Sequence, residues 1–134
     1  MKVSNVLIPA LFAITFISCK KNNSTPREPD TPATITFTTP ASGVIYTNGS
    51  SLKIDGITND GNGISSVRVE VKNKATGVML FQQLTDTGGT TFYRFVWNWT
   101  VTGITAPTLA TVKVVVKDVQ SNEVTAQVDV NLDN

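Results

Sequence analysis

The chain has 134 residues, 11 Lys+Arg against 10 Asp+Glu, a formal net charge of +1, one Cys and no His. This length fits one domain, and the balanced charge supplies neither a basic footprint for nucleic acid nor an acidic tail. Zinc sites, Ser-His-Asp triads, Cys-His pairs and disulfide frameworks all lack their parts. Residues 1–18 open with the basic Lys2, and Val6 to Ile17 (VLIPALFAITFI) is an uncharged, mostly apolar run of 12. A membrane-spanning helix needs about 20 such residues. This run is shorter, carries Pro9 and is followed by Lys20-Lys21, which together describe a cleaved secretory signal.

The end of that run, Phe16-Ile17-Ser18-Cys19, resembles the lipobox of bacterial lipoproteins, in which an apolar residue and small residues precede an obligatory Cys. The resemblance implies diacylation of the Cys19 sulfur, cleavage between Ser18 and Cys19, and acylation of the new amino terminus. Ile17 is bulkier than the small residue usual at its place, a departure met in looser lipoboxes of some Gram-negative lineages. The competing reading, an ordinary signal-peptide Cys, leaves unexplained why the only Cys of the chain ends the apolar run behind a small residue. Each buried CH₂ contributes about 0.8 kcal/mol and one acyl chain gives only marginal residence, whereas two or three hold a protein on the membrane. Lipidation would consume the only thiol and leave the domain without redox chemistry. Within the lipoprotein family, Lys rather than Asp after the Cys, here Lys20, implies the outer membrane, with its periplasmic or surface face left open.

Residues 19–33 hold the lipidated Cys and a tether, and Pro26, Pro29 and Pro32 recur at every third position from Lys20 to Ala33 (KKNNSTPREPDTPA). Nothing there is apolar enough to pack, and repeated Pro favours an extended spacer of about 3.1 Å per residue. A Pro-rich recognition ligand is the sharper alternative, and a spacer behind a lipobox is the ordinary one.

Residues 34–134 read as one β domain, because period-2 alternation recurs between turn signals and no segment has apolar residues at helical spacing. Ile35 and Phe37 alternate with threonines before Pro40 and Gly43; Val44 to Tyr46 is a short extended piece, and Asn48-Gly49 is a hairpin signal. Leu52 and Ile54 share a face, and Asn59 to Gly63 (NDGNG) reads as a loop. Val67, Val69 and Val71 alternate with Arg68, Glu70 and Lys72; Val78 to Leu84 follows the turn at Gly77, and Thr90 to Val101 follows Gly88-Gly89. Val112, Val114 and Val116, then Val124, Ala126, Val128, Val130 and Leu132, give two further strands. About seven strands with turns every 8–12 residues predict an all-β, antiparallel two-sheet sandwich.

Three stretches carry a second resemblance: Ile35 to Gly43 (ITFTTPASG), Asp60 to Ile64 leading into Val67 to Val71, and Val112 to Asn122 (VKVVVKDVQSN). They are similar to the first strand, the second loop with its third strand, and the penultimate strand with its turn in the immunoglobulin-like domains of bacterial surface lipoproteins and adhesins. Ser121 stands where those domains usually have Gly. The resemblance implies an immunoglobulin-like fold over nearly the whole domain, and its motifs are structural, carrying no chemistry.

Candidate site residues are few. Tyr93, Phe95, Trp97 and Trp99 share one face of their strand; stacked rings form a sugar platform, but core residues alternate in the same way. Trp97 and Trp99 are the candidate ligand-binding residues. At about 40 Å the run from Thr90 exceeds a usual strand, so it overhangs or bends, which leaves Trp99 first and Phe92 second as candidates for an exposed ring. Asp55, Asn59, Asp60 and Asn62 could supply oxygen ligands for Ca²⁺ at one loop end, but they offer only two carboxylates where Ca²⁺ wants six to eight oxygens, and ordinary turn chemistry is the favoured account; whether Ca²⁺ binds the Asp55/Asp60 loop is left open. Asp118 and Asn122 fit turn bonding to local amides. No metal site and no cofactor are assigned. Asn23, Asn48 and Asn98 head N-glycosylation patterns, chance matches beside a bacterial lipobox. The carboxylates are scattered over turns and wet faces, so no catalytic residue is named and no enzyme is expected. The expectation is an outer-membrane, lipid-anchored, non-catalytic interaction, adhesion or accessory module, with a protein or glycan partner and no nucleic acid. The alternative is a glycan-binding accessory lipoprotein of a nutrient-uptake system; a purely structural envelope component comes third.

Overall fold

The computed structural model describes residues 30–134, so the expected signal segment, Ser18 and Cys19 lie outside the described residues. The described chain forms six strands: β1 (Thr34–Thr39), β2 (Ile45–Thr47), β3 (Ser51–Asn73), β4 (Met79–Thr100), β5 (Thr108–Asp118) and β6 (Glu123–Asp133). The eight extended segments behind the expectation of about seven strands become six because β3 and β4 each run through two of them.

The register of β3 shows how. Its residues 51–59 lie between β1 and the end of β4, pairing Ser51 with Thr100 and Asn59 with Phe92 on one side and Asn59 with Thr34 on the other. Its residues 64–73 lie between the start of β4 and β5, pairing Val69 with both Gln83 and Val114. Between these halves the register jumps, so that Asp60, Gly61, Asn62 and Gly63 stand against Thr91 alone. An insertion of that size bends a strand sharply, and here it carries β3 from one layer to the other. The Asn-Asp-Gly-Asn-Gly run that reads as a loop is this corner. The second layer continues through β5 to β6, and β2 closes it by pairing in parallel with β6.

Gly63 makes the corner possible. Its φ of +107° suits no side chain, and a Cβ there would meet the Gly89 carbonyl oxygen at 2.6 Å. Gly89 sits at the matching bend of β4, so the two strands turn together.

The core lies between the layers. Leu52, Ile54 and Phe95 from the first layer and Val67, Val69, Val71, Val112, Val114 and Val116 from the second are fully buried. These are the alternate residues of each run, as period 2 requires, and Arg68 and Lys72 of β3 point outward beside Glu70, bonding it from both sides.

Candidate functional site

The aromatic row belongs to the core. Trp97 is 5% exposed and stacks on Phe95 with ring centroids 5.2 Å apart. Phe95 in turn meets the edge of Phe37 at 6.1 Å and covers Gly56, where a Cβ would collide with its ring. Trp99 is half-buried and stacks on Phe81 across the sandwich, centroids 5.9 Å apart. The expected platform of Trp97 and Trp99 is therefore corrected at Trp97: its ring is enclosed because β4, bent at Gly88-Gly89, folds back over the core. Phe92, on the opposite face of β4, is 52% exposed.

Of the four residues expected at one loop, Asp55 stands apart, while Asn59, Asp60 and Asn62 stay together where β3 turns. Asp55 lies on the outer face of β3, where Arg94 bonds it through Nε and Nη2 at 3.2 and 2.9 Å and Lys53 approaches to 2.8 Å. Those contacts, the Arg94 hydrogen bond first, hold its carboxyl at about 2, well below the usual carboxylate range. Asp60 and Asn62 instead sit at the β3 corner. There Asp60 Oδ1 accepts the backbone N–H groups of Asn62 and Gly63 at 2.7 and 3.2 Å.

The β5–β6 turn reaches the same end of the domain. Asp118 Oδ1 accepts the N–H groups of Gln120 and Asn122 at 2.7 and 2.8 Å, and Asn122 Nδ2 donates to Oδ2 at 2.7 Å. Burial raises the Asp118 carboxyl, but these donors outweigh it and the net shift is downward. Asx bonding of this kind is what the sequence suggested for Asp118 and Asn122. Asp30 was not foreseen: it accepts from Asn62 Nδ2 at 2.6 Å and from Asn122 Nδ2, joining the two turns. Ala33 is buried nearby, so the last residues of the Pro-spaced stretch lie against the domain. Between these segments is a cavity of about 400 Å³.

The remaining surface feature is β4 itself. Its only ladder is with β3, so among the described residues its far edge is unpaired along both layers. Met79, Leu84, Phe92 and Val96 are exposed along this strand, with Val78 just before it, and Leu84 is 62% exposed. Residues 78–85 (VMLFQQLT) contain no charge and no Pro, the devices that usually blunt an edge strand.

A two-layer β-sandwich in which long strands cross between layers is an immunoglobulin-like architecture. Residues 34–128 match the family model described as bacterial Ig domain. The chain belongs to that family. Comparison with curated proteins finds no match. Among solved structures, the chain is similar to the fibronectin(III)-like modules of CbhA from Clostridium thermocellum at 20% identity and a TM-score of 0.49, covering 75% of this chain and 45% of that one. It is also similar to a CARDB domain from Pyrococcus furiosus solved with di-metal ions (17% identity, TM-score 0.46, covering 75% of this chain and 92% of that one). Murine CRIg is a third (18% identity, TM-score 0.44, covering 75% and 97%). The chain thus spans under half the length of the Clostridium thermocellum chain it matches.

Proposed function

We propose that the protein is exported, lipidated on Cys19 after cleavage behind Ser18, and held at the outer membrane, where its Ig-like domain serves as a non-catalytic interaction or adhesion module. The bacterial Ig family fits such a module. The observation that carries the interaction reading is the unpaired edge of β4, uncharged over residues 78–85 and with exposed apolar side chains along it. Open backbone N–H and C=O groups along such an edge template pairing with another chain, and exposed Leu84, Phe92 and Val96 supply side-chain contact beside them. The glycan reading retains Phe92, exposed on the same face as Arg94, but has lost the face of Trp97, so a protein partner is the preferred occupant.

The test is capture from envelope extracts by the full-length protein and by a Leu84→Lys/Phe92→Lys double variant. Both positions are exposed, so folding should be unchanged by circular dichroism. The wild-type chain should retain a specific protein that the variant loses at least tenfold. Equal retention by the two would contradict an edge-mediated interaction.

A further inference from the structure

The open edge of β4 has a charge pattern that the interaction reading leaves unused. On the outer face of each layer two bases flank one acid next to this strand: Lys53 and Arg94 beside Asp55 in the first layer, Arg68 and Lys72 beside Glu70 in the second. In both groups the acid is the covered member. The Asp55 and Glu70 side chains are 3% and 8% exposed, against 35–62% for the four bases. Solvent along both sides of β4 therefore meets mainly cations, although Asp86 at the bend adds one exposed acid. Residues 30–134 as a whole carry nine acids against seven bases, so the local excess of base belongs to this site and not to the composition.

The backbone of the first-layer half of β4 is aimed to take a strand. Val101 donates its N–H to Ser50 and accepts from Gly49, so it bonds toward β3. Antiparallel ladders alternate, and the register from Ser51 with Thr100 to Asn59 with Phe92 is unbroken. Trp99, Trp97, Phe95 and Tyr93 accordingly bond β3 as well, while Phe92, Arg94, Val96 and Asn98 turn their N–H and C=O groups to the free edge. In keeping with this, the Phe92 carbonyl accepts the Thr90 hydroxyl at 2.9 Å. The side chains of these four residues are exposed. A strand added here lays its own outward side chains beside them, with Lys53 one strand further in, opposite Asn98.

We infer that the segment this edge accepts is an extended acidic stretch of a partner protein, added to β4 along Phe92–Asn98 with its Asp or Glu side chains against Arg94 and Lys53. This rests on the edge reading above and names the partner's chemistry. Main-chain bonds supply affinity in such strand addition, and side chains select among strands. An acidic strand gains because Arg94 and Lys53 share one covered carboxylate and keep N–H donors for a second. A basic strand meets two like charges. A second copy of the chain is disfavoured on the same ground. Pairing this half of β4 with itself about a two-fold axis brings together two sets of Lys53 and Arg94, whose neighbouring Asp55 is already held.

The experiment titrates the full-length protein with three synthetic peptides of about eight residues, enough for one strand, in which Val alternates with Glu, Gln or Lys. The Glu peptide should bind at least about tenfold more tightly than the Lys peptide, with the Gln peptide between them. Its affinity should fall severalfold as NaCl rises from about 0.05 to about 0.5 M. Lys53→Gln, which leaves Asp55 both Arg94 bonds, should weaken the Glu peptide about threefold and leave the Gln peptide unchanged. Val96→Pro removes an edge-facing N–H, a place where strands tolerate Pro, and should weaken all three peptides. Should that variant fail to fold by circular dichroism, amide hydrogen exchange of the wild-type protein decides instead. The Glu peptide should then slow exchange at Arg94, Val96 and Asn98, and unchanged exchange there would overturn the inference. Equal affinity for the Glu and Lys peptides would overturn the acidic assignment and leave the edge reading standing. Binding of no peptide would also overturn it, while the capture experiment above still decides the edge reading. A dimer in sedimentation that Val96→Pro dissociates would make a second copy the occupant and overturn it as well.

Discussion

Gly63 carries a constraint that no other residue type meets at its place. Two costs coincide there: a left-handed backbone, and a Gly89 carbonyl oxygen 2.6 Å from where a Cβ would stand. Gly77, with φ of +73° and open space around it, carries only the first. Gly77→Ala should therefore cost about 1 kcal/mol, and Gly63→Ala at least about 2 kcal/mol, because backbone must also move. Thermal unfolding separates them: a Tm loss about twice as large for Gly63→Ala is expected, and equal losses would remove the close approach from the account. The same scale explains why Trp97 is no ligand platform. Its ring is sandwiched against Phe95, and Phe95 can lie flat only because Gly56 leaves room beneath it.

At the scale of the strand, the outer face of β3 is a ladder of ion pairs. Asp55 between Lys53 and Arg94, and Glu70 between Arg68 and Lys72, both have lowered carboxyl pKa values, and so does Asp129 beside Lys74. A carboxyl lowered on folding stabilises the native state above its unfolded value and loses that contribution as pH falls through the folded one. For Asp55 the window runs from the ordinary 3.8 down to about 2. The Tm should be flat from neutral pH to about 4 and fall steeply below it. Asp55→Asn should lower the plateau and make the acid limb shallower. Parallel wild-type and variant curves would show that Asp55 contributes no pH dependence.

Much of this element was readable beforehand. The alternation of Val67, Val69 and Val71 with Arg68, Glu70 and Lys72 identifies both faces because a sheet with one wet side imposes that period. The continuity of β3 through residues 60–63 was not readable, since Asn, Asp and Gly favour turns locally and only the pairing of Asn59 and Ile64 with β4 on either side of them carries the strand through. Asp55 was misplaced for a related reason: proximity in sequence suggested a shared loop with Asp60, while the alternation starting from Leu52 already sent it to the outer face beside Lys53. The cavity was invisible altogether. Asp30, Asp60 and Asp118 come from three separate segments, and Asp30 lies in a Pro-spaced stretch whose one small apolar residue, Ala33, gives no pattern to announce that it packs.

On the scale of the whole molecule, the proposal joins two parts with different warrants. The Ig-like sandwich follows from alternation, core and family. The anchor is proposed from the sequence around Cys19 alone, and it decides whether the β4 edge works at a membrane or in solution. Intact-mass and peptide mass spectrometry of the native protein, purified from its own envelope, tests this most directly. The account predicts a polypeptide beginning at Cys19, bearing two acyl chains on its sulfur and a third on its amino group, with residues 1–18 gone. An unacylated chain that retains residues 1–18 would contradict it.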